Sequence, residues 1–504
     1  MSVGCMDSDV SVSGKAGTGV AGLDELLDGG FARQRVYLLE GSPGTGKTTI
    51  ALQFLIDGAA AGEKGLYITL SETEEELRDS AASHGWRLEE SIDVFELVPP
   101  ESLLDADQQQ SLLYASDLEL GETTRMLFDA IERSKPARVV IDSLSEIRLL
   151  AQSSLRYRRQ ILAFKHYFAR HGATVLMLDD LTTEATDKTV HSVAHGVVHL
   201  DLEAPTYGAE HRRVSVTKYR GQALKGGYHD FTIATGGVIV FPRLVAAEHG
   251  TPFARQRLPS GITELDQLVG GGVTRGSSTL ILGPAGTGKT LLAIHFALAA
   301  IDRGERAAVF IFDEEIGFLL ARTREMGVDL AALCDSGKLI VEQVDAAEMS
   351  PGEFAHKVRS HVDDHGVRTV VIDSLNGYQA AMPDEKALIL HIHELLQYLN
   401  RQGATTFLTV AQHGLVGHMQ SPVDVTYVAD TVVLMRYFEA EGRVRRAMSI
   451  IKNRGGRHED TIREFLIGEG GISLGPALHG FQGILTGTPV YVGRKEPLLG
   501  DQGS

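Results

Sequence analysis

The pattern G-x-x-x-x-G-K-T occurs twice in this chain, as GSPGTGKT from Gly41 to Thr48 and as GPAGTGKT from Gly283 to Thr290, 242 residues apart. The same shift carries Leu23-Asp24 onto Leu265-Asp266, Gly29-Gly30 onto Gly271-Gly272, Glu72 onto Glu314 and Gly85 onto Gly327. Further on the register slips. VVIDSL at 139–144 returns at 370–375, a shift of 231, and Lys218-Tyr219-Arg220-Gly221 is matched by Lys452-Asn453-Arg454-Gly455, a shift of 234. Two homologous halves that differ by an eleven-residue loop (242 against 231) account for the pattern.

Each half alternates short apolar runs with helix-like segments. In the first, RVYLLE, GLYITL, ARVVIDSL and ATVLMLD read as strands, separated by stretches such as TTIALQFLIDGAAA and LRYRRQILAFKHYFARH. That alternation predicts an α/β fold, a mostly parallel sheet with helices on both faces, in each of two tandem domains. Strands that are apolar almost throughout fit a sheet buried on both sides. Proline and glycine interrupt the pattern around 241–261. The expected organisation is a disordered start over 1–14, a first domain over 15–243, a linker over 244–257, a second domain over 258–485 and a flexible tail over 486–504. A chain of 504 residues is too long for one core in any case.

The pattern is a phosphate loop where it joins a strand to a helix, and both copies have that context. Its glycines let backbone N–H groups turn toward phosphate, and the helix N-terminus adds a favourable field. The expected ATP-binding residues are Gly41, Ser42, Pro43, Gly44, Thr45, Gly46, Lys47, Thr48 and Thr49, with Gly283, Pro284, Ala285, Gly286, Thr287, Gly288, Lys289, Thr290 and Leu291 in the second half. Lys47 and Lys289 would reach the outer phosphates, and Thr48 and Thr290 would hold Mg²⁺. A glycine turn before a helix is the bland alternative, and two copies in matched context weigh against it.

Asp142 and Asp373 end the repeated VVID strand, where a second Mg²⁺-directed group belongs. Hydrolysis also needs a group that orients or deprotonates water. The matched carboxylates Glu72 and Glu314 are the candidates, with Asp313 beside the second. Against this, SETEEEL also reads as a helix cap followed by first-turn acids.

A phosphate loop, a carboxylate after the next strand and a strand-borne Asp together resemble the RecA-like ATPase core. The flanking text is more specific. GVAGLDELLDGGFARQRVYLLEGSPGTGKTT, GITELDQLVGGGVTRGSSTLILGPAGTGKTL, RHEDTIREFLI and the duplicated VVIDSL resemble the KaiC family, the tandem ATPases of the cyanobacterial clock, over residues 15–490. The resemblance implies two RecA-like P-loop NTPase domains in a double-ring homohexamer. ATP would lie at subunit interfaces, with an ATPase in the first ring and an autokinase in the second. It implies that Lys218, Arg220, Lys452 and Arg454 complete the neighbour's site in trans, where a cation offsets transition-state charge. A charged edge strand is the alternative reading of the same residues.

The departures are as informative. The family's adjacent Ser and Thr phosphoacceptors fall here on Thr426 and Tyr427, so Thr426 is the expected acceptor and Ser421 the next nearest. Ser71 stands where the family has the first of two adjacent glutamates, which leaves Glu72 alone. A KaiB-like partner on the first ring belongs to the same resemblance, although no residue marks it. The tail is too short to carry over a KaiA-like partner.

Composition narrows the classes. A net charge of −18 and two cysteines, Cys5 and Cys334, offer neither a basic duplex-binding surface nor a four-cysteine zinc site. A RecA- or RadA-like DNA-dependent ATPase is therefore the alternative function and DNA an unfavoured partner. A third reading, a nucleotide-gated scaffold without catalysis, conflicts with Glu314 and Asp373. No apolar run reaches the ~18 residues of a membrane span, and the N-terminus lacks a signal-peptide pattern, so a cytoplasmic setting is expected.

Overall fold

The computed structural model describes residues 14–88, 90–97, 112–181, 189–205, 208–382, 384–412, 425–440, 442–468, 470–485 and 490–491. These fall into two compact units that meet in sequence at Arg243 and Leu244.

The first unit holds β1 (Val36–Gly41), β2 (Gly65–Thr69), β3 (Ile92–Glu96), β4 (Arg138–Asp142), β5 (Thr174–Asp180), β6 (Gly196–Glu203), β7 (His211–Tyr219), β8 (His229–Ala234) and β9 (Gly237–Phe241). They form a sheet in the order β9-β8-β7-β6-β1-β5-β4-β2-β3. Pairings from β6 through β3 are parallel, and those from β6 to β9 are antiparallel. In the second unit the strands are β10 (Ser278–Gly283), β11 (Arg306–Ile311), β12 (Leu339–Gln343), β13 (Val367–Asp373), β14 (Thr405–Ala411), β15 (Thr431–Ala440), β16 (Arg443–Asn453), β17 (Arg463–Gly468) and β18 (Gly471–Ala477). Their order, β18-β17-β16-β15-β10-β14-β13-β11-β12, repeats the first sheet strand for strand. The sequence repeat is therefore a repeat of topology, and the expected α/β fold is present twice.

Helices α1 (Lys47–Ala60), α2 (Glu74–Ser83), α3 (Leu112–Ser134) and α4 (Ser154–His171) flank the first sheet, and α5 (Lys289–Asp302), α6 (Ile316–Glu325), α7 (Pro351–Asp363) and α8 (Glu385–Arg401) flank the second. Consecutive strand residues feed opposite cores. Tyr37, Leu39, Tyr67 and Val140 pack with α1 residues such as Ile50 and Phe54. Leu38, Ile68, Ile141 and Met177 pack with Leu127 and Ile131 of α3 and with Tyr157, Ile161, Phe164 and Phe168 of α4. The α4 spacing is one helical stripe. Two filled faces explain why these strands read as unbroken apolar runs.

The stretch 244–257, expected as a linker, begins with packed residues. Leu244 and Ala246 are buried in the core of the second unit, and the Ala246 N–H donates to Glu394 on α8. Leu244 and Ala246 thus have a surface to cover, while most of 247–256 is exposed. In the expected tail, Val490–Tyr491 pairs with Phe481–Gln482. The expected disordered start lies almost wholly outside the described residues, as does most of that tail. Among the described residues, no helix is long and apolar enough to cross a membrane.

Candidate nucleotide site

Both phosphate loops lie at the carboxyl edge of their sheets, where ligands of parallel α/β folds bind. Gly44 and Gly46 have φ of 80° and 98°, and Gly286 and Gly288 have 78° and 99°, a region closed to most side chains. A Cβ on Gly46 would come 2.6 Å from Ile233, and one on Gly288 2.8 Å from Phe465. Thr45 donates to the Ser42 carbonyl at 2.8 Å and Thr287 to the Pro284 carbonyl at 2.9 Å, closing each loop. No side chain caps α1 or α5, so their first N–H groups face the loop. Ser42, Pro43 and Gly44 are exposed, as are Ala285 and Gly286, while Thr49 is buried and Leu291 packs against the core.

The lysines fold back over the loops. Lys47 donates to the Gly41 and Ser42 carbonyls at 2.8 and 3.0 Å, and Lys289 to the Pro284 carbonyl at 2.9 Å. Burial pushes Lys289 below the ordinary lysine range, and Asp373 opposes that shift. Lys47 has a partner that Lys289 lacks among the described residues: the Asp180 carboxylate, 2.7 Å from its Nζ. Asp180 escaped sequence reasoning because its counterpart in the second half is Ala411, so no repeat marked it.

Asp142 ends β4 opposite Thr69 of β2. It accepts a hydrogen bond from the Tyr67 hydroxyl at 2.5 Å, and Thr48, the second residue of α1, lies near enough to favour its charged form. Burial raises its pKa, and the Tyr67 bond works against that rise. A carboxylate and a hydroxyl held together are an oxygen-only donor set suited to Mg²⁺, which draws its other ligands from phosphate and water. Asp142 and Thr48 would therefore hold the ion in the first unit. In the second, Asp373 accepts from Thr409. Thr290 follows Lys289 at the head of α5.

The acidic run after β2 divides into separate roles. Thr73 caps α2 in a reciprocal box with Glu76, and Glu74 pairs with Arg78 at 2.7 Å. Glu72 stands before the cap, held by a Thr69 hydroxyl that donates to its carbonyl and accepts from its N–H. Burial, then Asp142, Glu76 and Asp180, pushes Glu72 above the usual carboxylate range. A half-buried carboxyl with a raised pKa beside the phosphate loop can accept a proton from water. In the second unit Glu315 is the cap of α6, Asp313 accepts from Ser374, and Glu314 pairs with Arg322 at 2.9 Å.

The four basic residues brace their own chain. Lys218 donates to the carbonyls of His191 and, at 2.8 Å, Ala194, and Arg220 donates to that of Ser192 at 2.7 Å. Lys452 donates to the carbonyls of Thr426 and Ala429 at 2.8 and 2.7 Å, and Arg454 to that of Tyr427 at 3.0 Å. The two sets share one bonding pattern, with the basic residues 234 apart and the carbonyls they bind 235 apart, which makes Thr426 the counterpart of His191. Thr426 is half-buried in a turn anchored by the buried Val425 and Val428, and Tyr427 is exposed. Ser421 lies outside the described residues. The His191 imidazole Nε2 meets the buried Glu40 carboxylate, the acceptor, at 2.7 Å, a contact no motif announced.

A family model for the KaiC ATPase matches residues 16–245 and 258–479. The chain is 28% identical over 498 residues to circadian clock protein KaiC3 of Synechocystis sp., covering 97% of both proteins. It is 30% identical over 489 residues to the circadian clock oscillator protein KaiC of Thermostichus vulcanus, covering 95% of this chain and 92% of that protein. It is 29% identical to circadian clock protein KaiC2 of Synechocystis sp., over 94% of this chain and 84% of that protein.

Proposed function

Since the chain belongs to the KaiC family of ATPases, we propose that it works as a hexameric nucleotide switch with Mg-ATP at its subunit interfaces. Residues 15–243 and 258–485 are its two ATPase domains. Glu72 and Glu314 act on the attacking water, and Asp142 with Thr48, and Asp373 with Thr290, serve Mg²⁺. The second domain is also a serine/threonine autokinase with Thr426 as acceptor, and the whole acts in timing or signalling.

The observation that carries this reading is the duplicated site itself. In each unit a phosphate-loop lysine, a strand-end Asp and a Glu before a helix cap converge at one sheet edge. The K-x-R strand of each unit grips the segment that contains Thr426 or its counterpart, a turn in the second unit and a short helix in the first, and this supports linking interface cations to the acceptor segment.

Three measurements test it together. ATP hydrolysis should fall in Lys47→Ala and in Lys289→Ala and vanish in the double variant. The mass of the assembly should rise to a hexamer with ATP and not with ADP. Mass spectrometry after incubation with Mg-ATP should find phosphate on Thr426, and its absence throughout 418–431 would sink the kinase claim. Strong stimulation of hydrolysis by single-stranded DNA would favour a DNA motor instead.

A further inference from the structure

The two phosphate loops are near copies, yet their lysines sit in different electrostatic settings. At the end of β5, Asp180 lies in register with Gly41, the first residue of the loop. Its carboxylate reaches Lys47 Nζ at 2.7 Å, with 31% of the side chain exposed. The Ser145 hydroxyl exchanges bonds with the Asp180 N–H and carbonyl at 3.3 and 3.4 Å, fixing the strand end. The adjacent Asp179 has separate work: it is buried and paired with Arg148 at 2.5 Å. Asp180 is thus committed to the loop lysine and its neighbour to the scaffold.

The second unit keeps the scaffold and drops the charge. Ala411 is in register with Gly283, and Asn376 takes the place of Ser145, bonding the Ala411 N–H and carbonyl at 2.7 and 3.0 Å. The carboxylate of Asp180 also acts on Asp142 and Glu72, so three acidic groups share the first site with one loop lysine.

We infer that Asp180 is a positioning residue that makes nucleotide binding at the first loop depend more steeply on an accompanying divalent cation than binding at the second loop does. This rests on the reading of the first loop as an ATP site. A phosphate oxygen that engages Lys47 must share it with Asp180 or leave that carboxylate beside the phosphates without its cation. Two like charges at such range repel strongly in a half-exposed site. A nucleotide that arrives with Mg²⁺ brings the compensating charge, and a bare nucleotide does not. At the second loop Lys289 meets no carboxylate at this position, so bare and Mg²⁺-bound nucleotide are distinguished less.

The test is the affinity of a fluorescent ADP, the N-methylanthraniloyl derivative, in Mg²⁺ and in EDTA. Lys289→Ala protein reports the first site and Lys47→Ala protein the second. The ratio of the two affinities should be larger at the first site. Adding Asp180→Asn should lower that ratio by about tenfold, the scale of one partly exposed charge contact, mostly by tightening binding in EDTA. Adding Ala411→Asp to Lys47→Ala protein should raise the ratio at the second site, which gives an independent reading if the first variant folds poorly. An unchanged ratio in both variants overturns the proposal and leaves the ATP-site reading standing. No probe bound by Lys289→Ala protein in either condition overturns both.

Discussion

Arg322 grips Glu314, with an ion-pair distance of 2.9 Å and an N–H···O distance of 3.0 Å. Glu72, its counterpart, sits instead among Asp142, Asp180 and Glu76. If Glu314 acts on water, the guanidinium holds it back. Arg322 is 41% exposed, so the restraint is small and partly screened. In a Lys47→Ala background, Arg322→Ala should raise second-site turnover by about two- to fivefold, as a weak ion pair allows. Adding Glu314→Gln should then remove about 10²-fold or more, the range of general-base catalysis. Single-turnover hydrolysis measures both. Turnover that falls in Arg322→Ala would show that the pair positions Glu314 for the reaction.

Arg454 is exposed and spends one N–H on the carbonyl of Tyr427. Its role toward a neighbour and its role in its own turn predict different mixing behaviour. Arg454→Ala and Lys289→Ala protein should each have an inactive second site. If Arg454 completes the neighbour's site, mixed assemblies contain interfaces with an intact Lys289 on one side and an intact Arg454 on the other. Mixing should then restore turnover that neither variant shows alone. Failure to recover would assign Arg454 to its own turn.

The duplicated phosphate loops, the strand-end aspartates and the α/β topology were legible because each is a local pattern repeated in register. Strands buried on both faces print apolar runs, and glycines with left-handed backbone print the loop. What the sequence hid was asymmetry. Asp180 faces Ala411 across the repeat, Tyr67 faces Val309, and His191 faces Thr426, so matching the halves discarded them. Residues 244–257 look like a linker because proline and glycine break the pattern, yet Leu244 and Ala246 find a core that composition does not reveal. Contacts between a strand and a distant segment, such as Lys218 with the short helix that holds His191, follow from sheet order and have no linear signature.

Tyr67 and Thr409 do the same job from different strands. Tyr67 on β2 donates to Asp142 at 2.5 Å, and Thr409 on β14 donates to Asp373. Each hydroxyl satisfies a buried carboxylate that would otherwise lose a donor, at a cost of about 1–3 kcal/mol. Tyr67→Phe should therefore weaken Mg-nucleotide binding at the first site by about tenfold and spare the second, with Thr409→Val doing the reverse. Isothermal titration of Lys289→Ala and Lys47→Ala proteins carrying these changes separates the sites. Equal effects on both sites would point to general loss of structure.

His391, on α8, is half-buried as a residue, but its Nε2 is sealed from solvent with no hydrogen-bond partner among the described residues. Burial lowers its pKa from 6.5 to about 4. The unfolded chain therefore takes up a proton that the folded chain refuses. Stability from this residue is intact above pH 6.5, falls as pH drops from 6.5 toward 4, and falls no further below that. The full effect is about 3 kcal/mol, from 1.36 kcal/mol per pKa unit. Replacing His391 with Phe fills similar space beside Tyr378, whose ring centroid lies 5.8 Å away, and removes the titration. The melting temperature of the second domain should then be less sensitive to acid than in the parent, with the two curves separating progressively below pH 6.5. Parallel curves would mean that folded His391 takes up the proton as readily as the unfolded chain does, by reaching water or a counter-charge.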